Sequence, residues 1–257
     1  MAYITVKFFS KSLNRSTSFE MILPEDMGGD VSEKKEMKTL FLLHGYTGSA
    51  GNWVPEYLTQ KYNFAIIMPN GENSFWLDGL STGHKFATLL GEELPEYISK
   101  TFRLTIDAKH TGIMGMSMGG FGALHTALKY PERFGKIGAM SSALIVHQVA
   151  QMKEGQDNGM ANYEYYRECF GELKDVLASE NNPETLVEKI LAQKKEMPQI
   201  YMCCGTEDFL LSCNREFHVF LQEKDVEHRY EESKGIHDMV FWNEYTTPIM
   251  EWMFGEE

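Results

Sequence analysis

Apolar and polar residues alternate at the start of the chain. Tyr3 to Phe9 and Ser18 to Leu23 place apolar side chains at every second position, the period of a half-buried strand, and predict an antiparallel pair. A loop from Pro24 to Lys38, rich in glycine and charge, separates them from a different pattern. "KTLFLLHG" and "FAIIMPNG" are continuous apolar runs that end in glycine-containing loops, which suits strands buried on both faces of a parallel sheet. Between them Trp53 to Tyr62 predicts a short helix, and "KFATLLGEELPEYISKTF" a longer one with an irregularity at Pro95.

The alternation of strand and helix continues to the end. "HTGIMGM", "KIGAMSS", "PQIYMCCG" and "EHRYEE" predict further strands, with helices over Gly119 to Lys129, Cys213 to Lys224 and Met239 to Met253. Such repetition indicates an α/β protein with a mostly parallel central sheet and helices on both faces. The stretch from Leu144 to Glu196 has helical and loop character but no strand, and reads as an insertion over one end of the sheet. Residues 1–257 are therefore expected to form one domain, with 144–196 as a cap-like insertion. A chain of this length can bury about 70 to 75% of its unfolded surface without covalent staples.

Composition narrows the function classes. A hydrophobic fraction of 43% with 24% charged residues is that of a soluble globular protein. The formal net charge of -13 argues against nucleic acid and against an anionic membrane surface. The four cysteines, Cys169, Cys203, Cys204 and Cys213, lack CxxC spacing, so neither a metal site nor a disulfide framework is expected, and reduced thiols in the cytoplasm fit best. No apolar run is long enough for a signal peptide core or a membrane span. A homo-oligomer would be unsurprising.

The candidate chemistry begins at Gly115-Met116-Ser117-Met118-Gly119. This G-x-S-x-G pattern is that of a nucleophile elbow, in which a strand turns sharply into a helix and carries the serine in a strained conformation. Its context supports the reading, because an apolar strand ends before it and a helix begins after it. A serine hydroxyl needs a base that is itself oriented by a carboxylate, and the expected chain order is serine, acid, histidine. "YMCCGTEDFLL" supplies Glu207 and Asp208 in the loop after a later strand, and "EESKGIHDMVFW" supplies His237 before the last helix. His110, His125, His218 and His228 fall on strands or helices and suit packing or surface roles. An oxyanion would take one amide from Met118 and a second from Tyr46 in "LLHGYTGSAGNW", where Gly45 lets the backbone approach. That loop lacks the G-K-[ST] ending of a phosphate-binding loop.

With these residues in place the chain resembles the esterase D family of α/β-hydrolases, which includes tributyrin esterases, S-formylglutathione hydrolases and feruloyl or acetylxylan esterases. The resemblance spans nearly the whole chain through "LLHGYTGSAGNW", "NSFWLDG", "EELPEYISKTF", "GIMGMSMGGFGALHTALKYPERFGKIGAMSSA", "CCGTEDFL" and "GIHDMVFW". It implies Ser117 as nucleophile, Asp208 rather than Glu207 as the orienting acid, His237 as base, and the amides of Tyr46 and Met118 as oxyanion donors. The tributyrin-esterase-like branch is nearest. S-formylglutathione hydrolases usually carry a cysteine shortly after the oxyanion segment, where this chain has Thr47, Gly48 and Ser49.

The function expected is a cytoplasmic serine carboxylesterase that hydrolyses small acyl esters through an acyl-enzyme, with no cofactor. Gly45, Tyr46, Trp53, Phe75, Trp76 and part of the insertion are expected to line an apolar pocket. The alternatives are a feruloyl or acetyl-xylooligosaccharide esterase, a thioesterase, and a non-catalytic α/β-hydrolase used as a binding protein.

Overall fold

The structure is a computed structural model that describes residues 1–24 and 36–255. Eight strands form one sheet in the order β1-β2-β4-β3-β5-β6-β7-β8. β1 (Ala2–Ser10) and β2 (Arg15–Leu23) are antiparallel to each other, and β2 is antiparallel to β4 (Phe64–Pro69). From β4 onward each adjacent pair is parallel, through β3 (Lys38–Leu43), β5 (Thr111–Met116), β6 (Lys136–Met140), β7 (Gln199–Gly205) and β8 (Arg229–Ser233). The expected α/β class and mostly parallel sheet are thus borne out. Of the loop expected over Pro24 to Lys38, residues 25–35 lie outside the described part.

The continuous apolar runs divide between the two faces because successive side chains on a strand point opposite ways. Phe41 and Leu43 of β3 enter one core with Ile113, Ile137 and Met202, while Leu40 and Leu42 enter the other with Met114, Met140 and Cys203. The first core is covered by α4 (Met118–Lys129), α7 (Pro183–Gln193) and α8 (Leu211–Glu223). The second is covered by α1 (Tyr57–Tyr62) and α9 (Met239–Phe254).

Two elements differ from expectation for local reasons. α1 begins at Tyr57 rather than Trp53, because Asn52 closes a turn onto the N–H and C=O of Val54 and the residue before Pro55 is biased away from helix. The long helix is a run of three pieces, α2 (Phe86–Thr88), a π-helical segment (Leu89–Glu93) and α3 (Leu94–Phe102). Pro95 has no N–H for the α ladder, and the wider turn falls directly before it. Glu93, at the end of that turn, accepts from Ser10 Oγ and from the amides of Lys11 and Ser12, which ties the first hairpin to the sheet's flank.

The stretch expected as an insertion, residues 144–196, contains α5 (Val146–Val149), α6 (Tyr163–Phe170), a 3-10 segment (Leu173–Ala178) and α7, with no strand. It is fastened to α4 by His125, whose buried Nε2–H donates to the Glu180 carbonyl. Burial lowers the His125 pKa to about 3, so the ring is neutral at physiological pH.

Candidate active site

The sheet order reverses at β3 and β5: the chain after β3 passes to β4 on one side, and β5 returns to the other. Ligands of open α/β sheets bind beyond the carboxyl ends of the strands at such a switch point. The loops that follow β3 and β5 carry Tyr46 and Ser117.

Ser117 has φ 55 and ψ -121, a strained conformation for a residue with a side chain. The neighbouring backbone holds it there: its N–H donates to Met140 O at 2.9 Å, and its carbonyl accepts from Ala143 N at 3.0 Å. The flanking glycines are steric requirements. A Cβ at Gly115 would sit 2.3 Å from the Gly119 carbonyl oxygen, and one at Gly119 2.4 Å from the Leu43 carbonyl oxygen.

His237 and Asp208 converge on this serine from separate loops. His237 Nδ1 lies 2.8 Å from Asp208 Oδ2 and Nε2 lies 2.9 Å from Ser117 Oγ. An ionised carboxylate only accepts, so the proton is on Nδ1 and the Nε2 lone pair faces the serine hydroxyl. Burial alone would push the Asp208 carboxyl upward, but hydrogen bonds from His237, the Leu210 amide and Ser141 outweigh it and hold the group below its ordinary value. Glu207 is exposed, and its amide donates to Gly235 O. Of the two carboxylates left open by the loop sequence, Asp208 is the one that reaches the histidine.

Three supporting residues carried no signal in the sequence. Trp242 Nε1–H donates to Ser141 Oγ at 3.1 Å, and its ring meets His237 nearly at right angles. Asn214, fully buried in α8, donates to the carbonyls of Ser142 and Leu210 and accepts from Ser142 N. It thereby clips the loop carrying Asp208 to the loop that supports Ser117. Spatial neighbourhood identifies these residues, because Trp242 lies far from Ser141 in the chain and Asn214 far from Ser142.

The loop after β3 is fixed by His44. Its Nε2 accepts the Gly71 amide at 2.9 Å, so Nδ1 carries the proton and donates to Gly45 O at 2.8 Å. Burial pushes this imidazole below its ordinary pKa, against smaller opposing effects of the Gly45 carbonyl and Asn70. Thr47, with φ 62, donates its amide to Asn73 Oδ1. Gly45 faces Ser117, where a Cβ would come 3.4 Å from Ser117 Cβ. Met118 is the first residue of α4, so its N–H belongs to the set that has no acceptor within the helix.

Ser117 opens onto a cavity of about 150 Å³ lined by Tyr46, Phe75, Met118, Ala143, Leu210 and Phe209, and by Ile145, Gln148, Asn158, Met160, Tyr165 and Tyr166 of the insertion. Phe209 is 67% exposed and its ring lies 4.6 Å from that of His237. Of the residues expected to line a pocket, Tyr46 and Phe75 face this cavity, while Gly45, Trp53 and Trp76 are not among its lining residues. Phe75 and Trp76 both adopt positive φ, which turns consecutive side chains to different sides. Trp76 is wholly buried against the bare faces of Gly71 and Gly122, with its indole N–H on His44 O. Trp53 packs on the core beneath α1 and α9.

A hydroxyl bonded to an imidazole that is held by a buried carboxylate can lose its proton as it attacks an electrophilic carbon. Comparison with known proteins agrees with such chemistry. The family model described as "Putative esterase" matches residues 10–253. An acetyl esterase of Caldicellulosiruptor saccharolyticus is 39% identical over 261 residues, covering 98% of each chain. Among solved structures, the substrate-bound fluorophosphonate-binding serine hydrolase F of Staphylococcus aureus is 26% identical with a TM-score of 0.85 over 99% of each chain. The S-formylglutathione hydrolase FrmB of the same organism is 26% identical with a TM-score of 0.83 over 98% of each. The chain belongs to the esterase family of α/β-hydrolases and is a carboxylic ester hydrolase.

Proposed function

We propose that this esterase is a serine carboxylesterase for short acyl esters, acetyl esters foremost, working through an acyl-enzyme. The observation that carries the reading is the hydrogen-bonded chain Asp208–His237–Ser117 at the mouth of a cavity of about 150 Å³. That volume is below the roughly 300 to 1,000 Å³ of sites for drug-sized ligands, and so favours an acetyl or butyryl group over an aromatic acid.

In the proposed mechanism Ser117 Oγ attacks the ester carbonyl while His237 Nε2 takes its proton. The oxyanion is held by the amides of Tyr46 and Met118, and Asp208 stabilises the imidazolium and fixes its tautomer. His237 then returns the proton to the leaving alcohol, and water repeats the sequence to release the acid. No step calls on a metal or organic cofactor. All four cysteines are buried free thiols, which suits the reducing cytoplasm.

A panel of p-nitrophenyl acetate and butyrate, methyl ferulate, acetylated xylooligosaccharide and S-formylglutathione tests the substrate class. The expected order places the acetyl and butyryl esters first. A kcat/KM highest for methyl ferulate or for the thioester would overturn the short-acyl assignment while leaving the serine mechanism in place.

A further inference from the structure

A second cavity, of about 260 Å³, shares a wall with the one at Ser117. Its apolar surface includes Leu77, Phe86 and Cys169, and its rim includes His84, whose Nδ1 lies 3.1 Å from Glu168 Oε1. Tyr165 lines both cavities. The ring is held on several sides. Its hydroxyl donates to Asn73 O at 2.7 Å, and the ring packs against Tyr46, Phe75 and Tyr166. Cys169, one helical turn further along α6, turns its thiol to the same Asn73 carbonyl, so one face of α6 closes the gap between the cavities.

We propose that Tyr165 is a partition that sets the acyl-length limit of the site, and that the second cavity is an apolar extension able to take the distal methylenes of a medium-chain acyl group once the ring is removed. This rests on the proposed reading of Ser117 as the esterase nucleophile. The phenol ring is the shared wall: it lines the cavity at Ser117, whereas Leu77 and Phe86 line the second cavity and not the first. Each methylene buried beyond the ring is worth about a fourfold gain in binding, so two of them suffice for roughly a tenfold change.

The test is kcat/KM for p-nitrophenyl acetate, butyrate, hexanoate and octanoate in the wild type, Tyr165→Phe, Tyr165→Ala and the double variant Tyr165→Ala/His84→Trp, with Ser117→Ala beside them. Expected is an octanoate-to-acetate ratio that rises about tenfold or more in Tyr165→Ala and stays within about twofold of wild type in Tyr165→Phe, which keeps the ring. The indole of the double variant refills the second cavity and returns the ratio toward wild type. Tyr165→Leu, which keeps an apolar contact with Phe75, takes the place of the alanine variant should that one not fold.

A folded alanine or leucine variant with an unchanged ratio overturns the partition, as does one without turnover of any ester. A gain that persists in the double variant overturns the second cavity as its source. Turnover retained in Ser117→Ala would instead count against the nucleophile, which separates the two failures.

Discussion

Trp242 donates its indole N–H to the Ser141 hydroxyl at 3.1 Å, and Ser141 in turn supports Asp208. The same indole ring packs perpendicular to His237, with centroids 4.9 Å apart. One residue of α9 therefore steadies both His237 and, through Ser141, Asp208. A hydrogen bond to a charged group is worth about 1.5 to 3 kcal/mol, so Ser141→Ala is expected to lower kcat by roughly 10- to 100-fold with little change in KM. Trp242→Phe keeps a ring against His237 and loses only a neutral bond, for a loss of about fivefold. Steady-state kinetics on p-nitrophenyl acetate check both, and equal losses in the two variants would contradict the relay.

Asp208 and Glu207 are adjacent in sequence, but only Asp208 is buried and bonded to His237. Asp208→Asn should reduce kcat by about 10,000-fold through the wrong imidazole tautomer, whereas Glu207→Gln should stay within about threefold of wild type. A comparable loss in Glu207→Gln would show that the acid had been assigned to the wrong residue.

His44 predicts a pH dependence of stability. Its folded pKa is depressed below 6.5, first by burial. As pH falls below about 6.5 the unfolded chain takes up a proton that the folded chain refuses, so stability present at neutral pH declines until the folded pKa is passed. His125, with a folded pKa of about 3, acts in the same direction over a wider window. Denaturant unfolding from pH 8 to pH 5 should give a falling curve for the wild type and a shallower one for His44→Asn. Parallel curves would mean that His44 is protonated in the folded state.

Much of the fold and the nucleophile's surroundings could be read from the chain. The runs in β3 to β7 place apolar residues on both faces of the sheet because both faces are covered, and glycines 115 and 119 mark a backbone crossing that no side chain could enter. His237 was legible because its loop precedes the last helix, and Asp208 because a strand ends just before it.

The remainder depends on folding at long range. Trp242 stands 101 residues from Ser141 and Asn214 stands 72 from Ser142, and no local pattern announces those bonds. Trp76 was expected in the pocket on its apolar bulk, but Gly71, close by in sequence, and Gly122, on α4, leave a flat recess that the indole fills. The insertion's contribution was expected in outline, while the particular side chains, Met160, Tyr165 and Tyr166 among them, depend on how α6 is docked against Asn73.

In the proposed mechanism Ser117 carries the acyl group. Mass spectrometry of the intact protein after a fluorophosphonate probe, paired with turnover of p-nitrophenyl acetate, tests it in wild type and Ser117→Ala. One probe adduct on the wild type, none on the variant, and a fall in turnover of about 10,000-fold or more with the fold retained are the predicted results. A variant that is still labelled, or that keeps most of its activity, would contradict the account.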